Sequence, residues 1–113
     1  MAFGVKTLEC LALGLDGDPK IFTSADDKPL GPDQLVNYPV LEQADAEAER
    51  FGALAHTDFG VLTVLLQDSL GGLEVLNSTG TWIEAALSAD TFICNRGDLL
   101  ELWTNGQLIS TRH

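Results

Sequence analysis

His56 and Asp58 stand two residues apart in the run His56-Thr57-Asp58. In an extended backbone, side chains at i and i+2 point to one face, so an imidazole and a carboxylate there lie side by side. Such a pair supplies two corners of a two-histidine, one-carboxylate site, the ligand set that holds Fe(II) and leaves coordination positions open. The third corner needs a second histidine from a distant part of the chain. The sequence has two histidines, and the other is His113. Taken alone, a His-x-Asp pair is more often a surface hydrogen bond or a helix cap than a ligand pair.

Other chemistries find little to stand on. There is no glycine-rich phosphate loop and no Cys-x-x-Cys pair. Ser110 has no Asp-His-Ser arrangement around it, so nucleophilic hydrolysis lacks its relay. Arg96-Gly97-Asp98 matches an integrin-binding tripeptide, a match common by chance. The two cysteines, Cys10 and Cys94, do not make a disulfide framework and read as reduced, buried small hydrophobes. Three further residues have a bland reading beside a functional one, and a fourth, Trp82, has a bland reading alone. Asn95 points into a pocket or caps a turn, Gln67 lines a mouth or ends an exposed strand, Phe59 walls a pocket or fills the core, and Trp82 packs a hairpin.

The elements that must position these residues change character along the chain. Val5, Leu8, Leu11, Ala12 and Leu15 recur at helical spacing and predict an amphipathic helix closed near Gly14 or Gly17. Residues 16–34 read as loop, and Leu35 to Pro39 as a short strand ended by proline. Glu42 to Arg50, rich in Ala and Glu, reads as a helical turn or an acidic loop. From residue 51 strands dominate. The run Val61 to Leu66 predicts a strand buried on both faces. Gly71-Gly72 is a turn, and Leu73–Leu76 and Thr81–Ala85 flank Asn77 to Gly80 as a hairpin. Thr91 to Asn95 is another strand, followed by a turn at 96–98. Leu99 to Trp103 suits a strand or a helical turn. Asn105-Gly106 predicts a second hairpin, with Gln107 to His113 as its returning strand. Many short strands at close spacing point to an antiparallel sandwich or barrel.

At 113 residues the chain makes one small domain. Its hydrophobic fraction of 45% is too high for a disordered chain. The net charge of -11 disfavours phosphate backbones and anionic membranes as partners, so no nucleic acid and no membrane are expected. The N-terminal apolar stretch is interrupted by Glu9 and does not make a signal peptide or a membrane span, which leaves a cytoplasmic protein as the expectation.

Several motifs occur in order: Val36-Asn-Tyr-Pro39, His56-Thr-Asp-Phe-Gly-Val-Leu-Thr-Val-Leu-Leu-Gln-Asp68, Gly71-Gly-Leu-Glu-Val75, Trp82, Asn95-Arg-Gly-Asp98, and Thr104-Asn-Gly106 through Ser110-Thr-Arg-His113. In this order they resemble the Fe(II)/2-oxoglutarate-dependent dioxygenase domain of the isopenicillin N synthase-like family. The resemblance covers residues 35–113, and residues 3–22 resemble the helix and loop that precede that domain. It implies a mainly β fold, a double-stranded β-helix (jelly-roll) core, incomplete at the C-terminus, with an N-terminal helix. It divides the chain into an N-terminal helix and loop, 1–34, and a partial dioxygenase domain, 35–113. It implies that His56, Asp58 and His113 bind Fe(II), and that Tyr38 hydrogen-bonds the distal carboxylate of the 2-oxoglutarate cosubstrate.

The same resemblance implies an oxidoreductase that uses O2 and 2-oxoglutarate to hydroxylate, desaturate or cyclise a small organic substrate. Several features depart from the family, among them Leu87-Ser-Ala-Asp90 where a Pro/Gly-containing turn is usual. The Arg-x-Ser motif, whose guanidinium forks onto the 2-oxoglutarate carboxylate, does not occur in these 113 residues. Arg96 stands where an apolar residue is usual. The alternative expectation is a truncated remnant that binds metal without turnover. An acidic protein-interaction module is a third class, which requires the motif order to be coincidence.

Overall fold

The computed structural model describes residues 2–24, 31, 34–38, 52–86 and 88–113. Helix α1 spans Ala2–Gly14. Strands β1 (Leu62–Leu65), β2 (Glu74–Leu76), β3 (Trp82–Glu84) and β4 (Ile93–Arg96) follow, and helix α2 covers Asp98–Trp103. The strands form two separate antiparallel pairs, β1 with β4 and β2 with β3. Thr63 lies opposite Asn95 in the first pair, and Val75 opposite Ile83 in the second.

The N-terminal helix forms as its periodicity predicts. The left-handed residue that ends it is Asp16, at φ 56°, rather than a glycine. Gly17 then donates its N–H back to the Ala12 carbonyl at 2.9 Å. Such a cap suits aspartate, whose short polar side chain tolerates the left-handed region. Ala12 is fully buried. Phe3 meets Phe92 ahead of β4, with ring centroids 5.5 Å apart, and Phe22 stacks on Trp103 of α2 at 6.4 Å. These aromatic pairs tie the N-terminal segment to both ends of the β4–α2 unit.

The first hairpin also forms where its turn residues place it. The Asn77 side-chain oxygen accepts hydrogen bonds from the N–H groups of Thr79 and Thr81 and from the Thr79 hydroxyl, and Gly80 takes φ 81°. Gly71 and Gly72, at φ 77° and 98°, make the turn ahead of β2 with a geometry that favours glycine.

Several expectations are corrected. Residues 34–38 form no strand, and Leu35 is fully exposed; Pro39 and the stretch 42–50 lie outside the described residues. The 61–66 run is a strand over 62–65, but it is not buried on both faces: Val64 and Leu65 are exposed, and Leu66 is 67% exposed. The strand has β4 on one side and, among the described residues, no layer that covers its distal half. Both cysteines are free as expected, yet both are exposed. Phe59 is 78% exposed, so it does not fill the core.

Asn105-Gly106 does not join two strands. Both residues take positive φ, 50° and 78°, but they close α2: Gly106 donates to the Glu101 carbonyl at 2.9 Å and Asn105 to Leu102 at 3.2 Å. The left-handed pair that ends a helix and the pair that turns a hairpin use the same residues, so the dipeptide does not say which element precedes it. Leu99 to Trp103 resolves as helix, with Asp98 and Glu101 in its first turn, where acidic groups suit the helix dipole.

Candidate metal centre

Two backbone contacts assemble the site. His56 and His113 exchange a reciprocal pair of hydrogen bonds, N–H to carbonyl, at 2.8 and 2.9 Å. This is the hydrogen-bonded pair of an antiparallel ladder, in which opposed residues sit close. The preceding residue faces the other way: the Arg112 carbonyl accepts from the Leu76 N–H at 2.8 Å. The terminal segment is therefore threaded between the 54–58 segment and β2. Its partner is not the strand an Asn-Gly hairpin would supply but a segment far upstream.

Packing of α2 aims this segment. The Ser110 N–H donates to the Glu101 carboxylate at 2.6 Å, and the Leu108 N–H donates to the buried Thr104 hydroxyl at 3.1 Å. On the other side, the Asp98 N–H donates to the Asp58 carbonyl at 2.7 Å and the Gly97 N–H to the Val61 carbonyl at 3.0 Å. Gly97 lies so close beneath the 58–60 backbone that a Cβ there would overlap the Gly60 carbonyl. Here glycine serves close approach, and its φ is ordinary at -98°.

Three side chains converge on this frame. One ligand atom each from His56, Asp58 and His113 lies within 4.8 Å of the others. His56 Nε2 is 3.9 Å and His113 Nε2 3.8 Å from Asp58 Oδ1. Those separations exceed a hydrogen bond, so the imidazoles do not satisfy the carboxylate directly. The two rings are tilted, with centroids 4.6 Å apart.

The donor chemistry of the triad suits a metal. His56 Nδ1 lies 2.7 Å from the Leu54 carbonyl, and His113 Nδ1 lies 3.0 Å from the Thr111 carbonyl. A carbonyl only accepts, so each Nδ1 is the donor in its bond, and each Nε2 is the ring nitrogen that lies toward Asp58. That second hydrogen bond sets which ring nitrogen can ligate a metal. The carbonyl comes from residue i−2 in both cases, a local device repeated at two distant places.

Asp58 is ionised for the same role. Burial pushes its carboxyl up. The Thr63 hydroxyl, the Asn95 amide, and charge on His113 and His56 outweigh burial and hold it below its ordinary value of 3.8. The Asn95 amide donates to Asp58 Oδ2, so Asn95 faces the cluster and does not cap a turn. Thr57 adds a hydroxyl bond to Asp98 at 3.3 Å.

The other sequence candidates sit apart. Tyr38 is 58% exposed, its ring against the backbone of Gly52, and among the described residues it makes no hydrogen bond to the three. Gln67 is half-buried and, with Leu65, Ala86, Ser88, Thr91 and Ile93, lines a small cavity of about 20 Å³. Sequence reasoning did not find Thr63 or the carbonyls of Leu54 and Thr111. The carbonyls have no sequence signal, and Thr63 becomes visible only once the β1–β4 register is known.

Residues 31–113 match the family model described as the 2OG-Fe(II) oxygenase superfamily. Homoarginine-6-hydroxylase 2-ODD-233 of Oryza sativa subsp. japonica is 42% identical over 105 residues, which is 91% of this chain and 32% of that protein. The 2-oxoglutarate-dependent dioxygenase citB of Monascus ruber is 37% identical over 109 residues, 94% of this chain and 33% of that one. Among solved structures, full-length Neurospora crassa T7H in complex with alpha-KG superposes with a TM-score of 0.80 at 29% identity, over 98% of this chain and 37% of that one. The chain thus spans about a third of the length of the curated relatives it matches.

Proposed function

The chain belongs to the 2OG-Fe(II) oxygenase superfamily, whose members use Fe(II) and 2-oxoglutarate, and from that premise we propose that His56, Asp58 and His113 hold the iron of an oxidoreductase. The convergence of one ligand atom each from His56, Asp58 and His113 within 4.8 Å carries this reading. Bound there, iron would supply the oxidising chemistry, through coordination positions that a two-histidine, one-carboxylate set leaves open. The protein's own part is to orient. Leu54 and Thr111 fix the imidazole tautomers, Asn95 fixes the carboxylate, and the His56–His113 backbone bridge brings the two rings together.

The architecture proposed is the double-stranded β-helix, with 35–113 as its metal-bearing part; the superposition on T7H supports it. Tyr38 is proposed to hydrogen-bond the 2-oxoglutarate carboxylate, its hydroxyl being on an exposed ring ahead of the site. The substrate is a small organic molecule. Relatives include a homoarginine hydroxylase and a gibberellin dioxygenase, and T7H has been seen with thymine. Because one neighbour binds a nucleobase, the relatives lend no support to the expectation that nucleic acid is excluded. Among the described residues no helix is long and apolar enough to cross a membrane.

Titration of the metal-free protein with Fe(II) under anaerobic conditions tests the ligand set. One ion per chain is expected, and Asp58→Ala is expected to lower affinity at least about tenfold, since even groups behind the ligands cost 10–100-fold. Unchanged affinity in that variant sinks the assignment. The 113 residues contain no Arg-x-Ser, so this chain on its own is expected to bind metal without releasing succinate from 2-oxoglutarate. Succinate formation, measured by mass spectrometry, overturns that expectation.

A further inference from the structure

An aspartate carboxylate is not held by its own side chain. The torsion that turns it is broad and two-fold, so neighbours decide which oxygen faces which way. Here the two oxygens have different surroundings. Oδ1 lies 3.9 and 3.8 Å from the two Nε2 atoms, while Oδ2 accepts a hydrogen bond from the Asn95 amide. Asn95 sits on β4 directly opposite Thr63 on β1, and the Thr63 hydroxyl helps to hold the Asp58 carboxyl below its ordinary value. Opposed residues of an antiparallel pair point to the same face, with Cβ atoms about 5 Å apart. Two polar side chains therefore rise together from the β1–β4 ribbon beneath one carboxylate. Both are half-buried, which shields polar contacts there from competing water.

We propose that Thr63 and Asn95 form a positioning cradle that fixes the Asp58 carboxylate so that a single oxygen is offered to the metal. The inference rests on the ligand set proposed above. Without the cradle the carboxylate turns freely and offers both oxygens, taking a coordination position that cosubstrate and oxygen need. Neither cradle residue touches a reacting atom, and both act through Asp58. The device also explains why the ribbon pairs in this register: a shift of one residue would send Thr63 or Asn95 to the opposite face.

Cobalt(II) alone is the probe, because its visible spectrum reports ligand number and geometry, which a merely structural role would leave unmoved. The full 113-residue chain is titrated as wild type, Asn95→Leu, Asn95→Gln and Thr63→Val. Asn95→Leu keeps the bulk and removes the donor. It is expected to lower cobalt affinity about 10–100-fold and to change the spectrum. Asn95→Gln keeps an amide and is expected to recover part of both. Thr63→Val is isosteric and suits a strand, and is expected to lose affinity by a smaller factor. Circular dichroism of the metal-free proteins checks folding, and if Asn95→Leu does not fold, Thr63→Val decides. Wild-type affinity and spectrum in the variants that fold overturn the cradle alone. A wild type that takes up no cobalt overturns the ligand set and the cradle with it.

Discussion

Asp58 carries the acid sensitivity of the site. Its carboxyl is held below its ordinary value of 3.8 in the folded protein, so the folded state binds its proton less readily than the unfolded chain. The resulting stabilisation is complete above the unfolded value and is lost as pH falls through the folded one. Metal-free protein is therefore expected to lose stability on acidification below about pH 4, a loss set by the unfolded carboxyl range. Asp58→Asn is expected to flatten that part of the profile. Urea midpoints between pH 2.5 and 6 read both slopes, and parallel curves refute the claim. At this scale His56, Asp58 and His113 were singled out by spacing and by motif order, and the structure brings one ligand atom of each within 4.8 Å of the others. Their orienting partners were not legible. Asn95 had two readings, and only the cross-strand register chose between them. The Leu54 and Thr111 carbonyls are backbone, which carries no residue identity.

The hairpin, whose signal is local, was read correctly, and features that depend on distant partners were not. Asn77 and Gly80 fix the β2–β3 loop by bonds within five residues, and that hairpin formed as expected. Val61 to Leu66 is a strand by composition, but its burial depends on what lies over it, which the run itself does not encode. Asn105-Gly106 specifies a left-handed turn and not the element before it. Glycines at two elements fail differently on substitution. Gly106→Ala meets open space but keeps φ 78°, and is expected to cost about 1–2 kcal/mol of backbone strain. Gly97→Ala has an ordinary φ but drives a methyl group into the Gly60 carbonyl. It is expected to cost about 1–3 kcal/mol as overpacking and, by displacing the 58–60 segment, to weaken metal binding too. Thermal denaturation with and without cobalt separates the two, because only Gly97→Ala is expected to shrink the metal-induced rise in Tm.

At the scale of the whole molecule, the described residues bury little of their apolar surface. Among the described residues Ala12 and Leu100 are the fully buried hydrophobics, while Leu54, Leu66 and Leu70 are 80%, 67% and 85% exposed. Exposed apolar patches of this kind favour association. The isolated chain is expected to bind a hydrophobic dye and to sediment as a concentration-dependent mixture; a dye-silent monomer at high concentration contradicts this. The pairing of His56 with His113 has a consequence on a different clock. Their two amide protons are locked in one reciprocal ladder pair, and their imidazoles share one proposed ion. Any opening that frees those amides must first release the ion, so deuterium enters both positions only from the metal-free fraction. In the slow-exchange regime set by local opening, metal at about a hundred times its dissociation constant slows both amides about a hundredfold. Amides in the β2–β3 hairpin loop, which open without disturbing the pair, keep their rate. Two hydrogens on the backbone would thereby become a gauge of occupancy, and the proposed ion would pin His56 and His113 together.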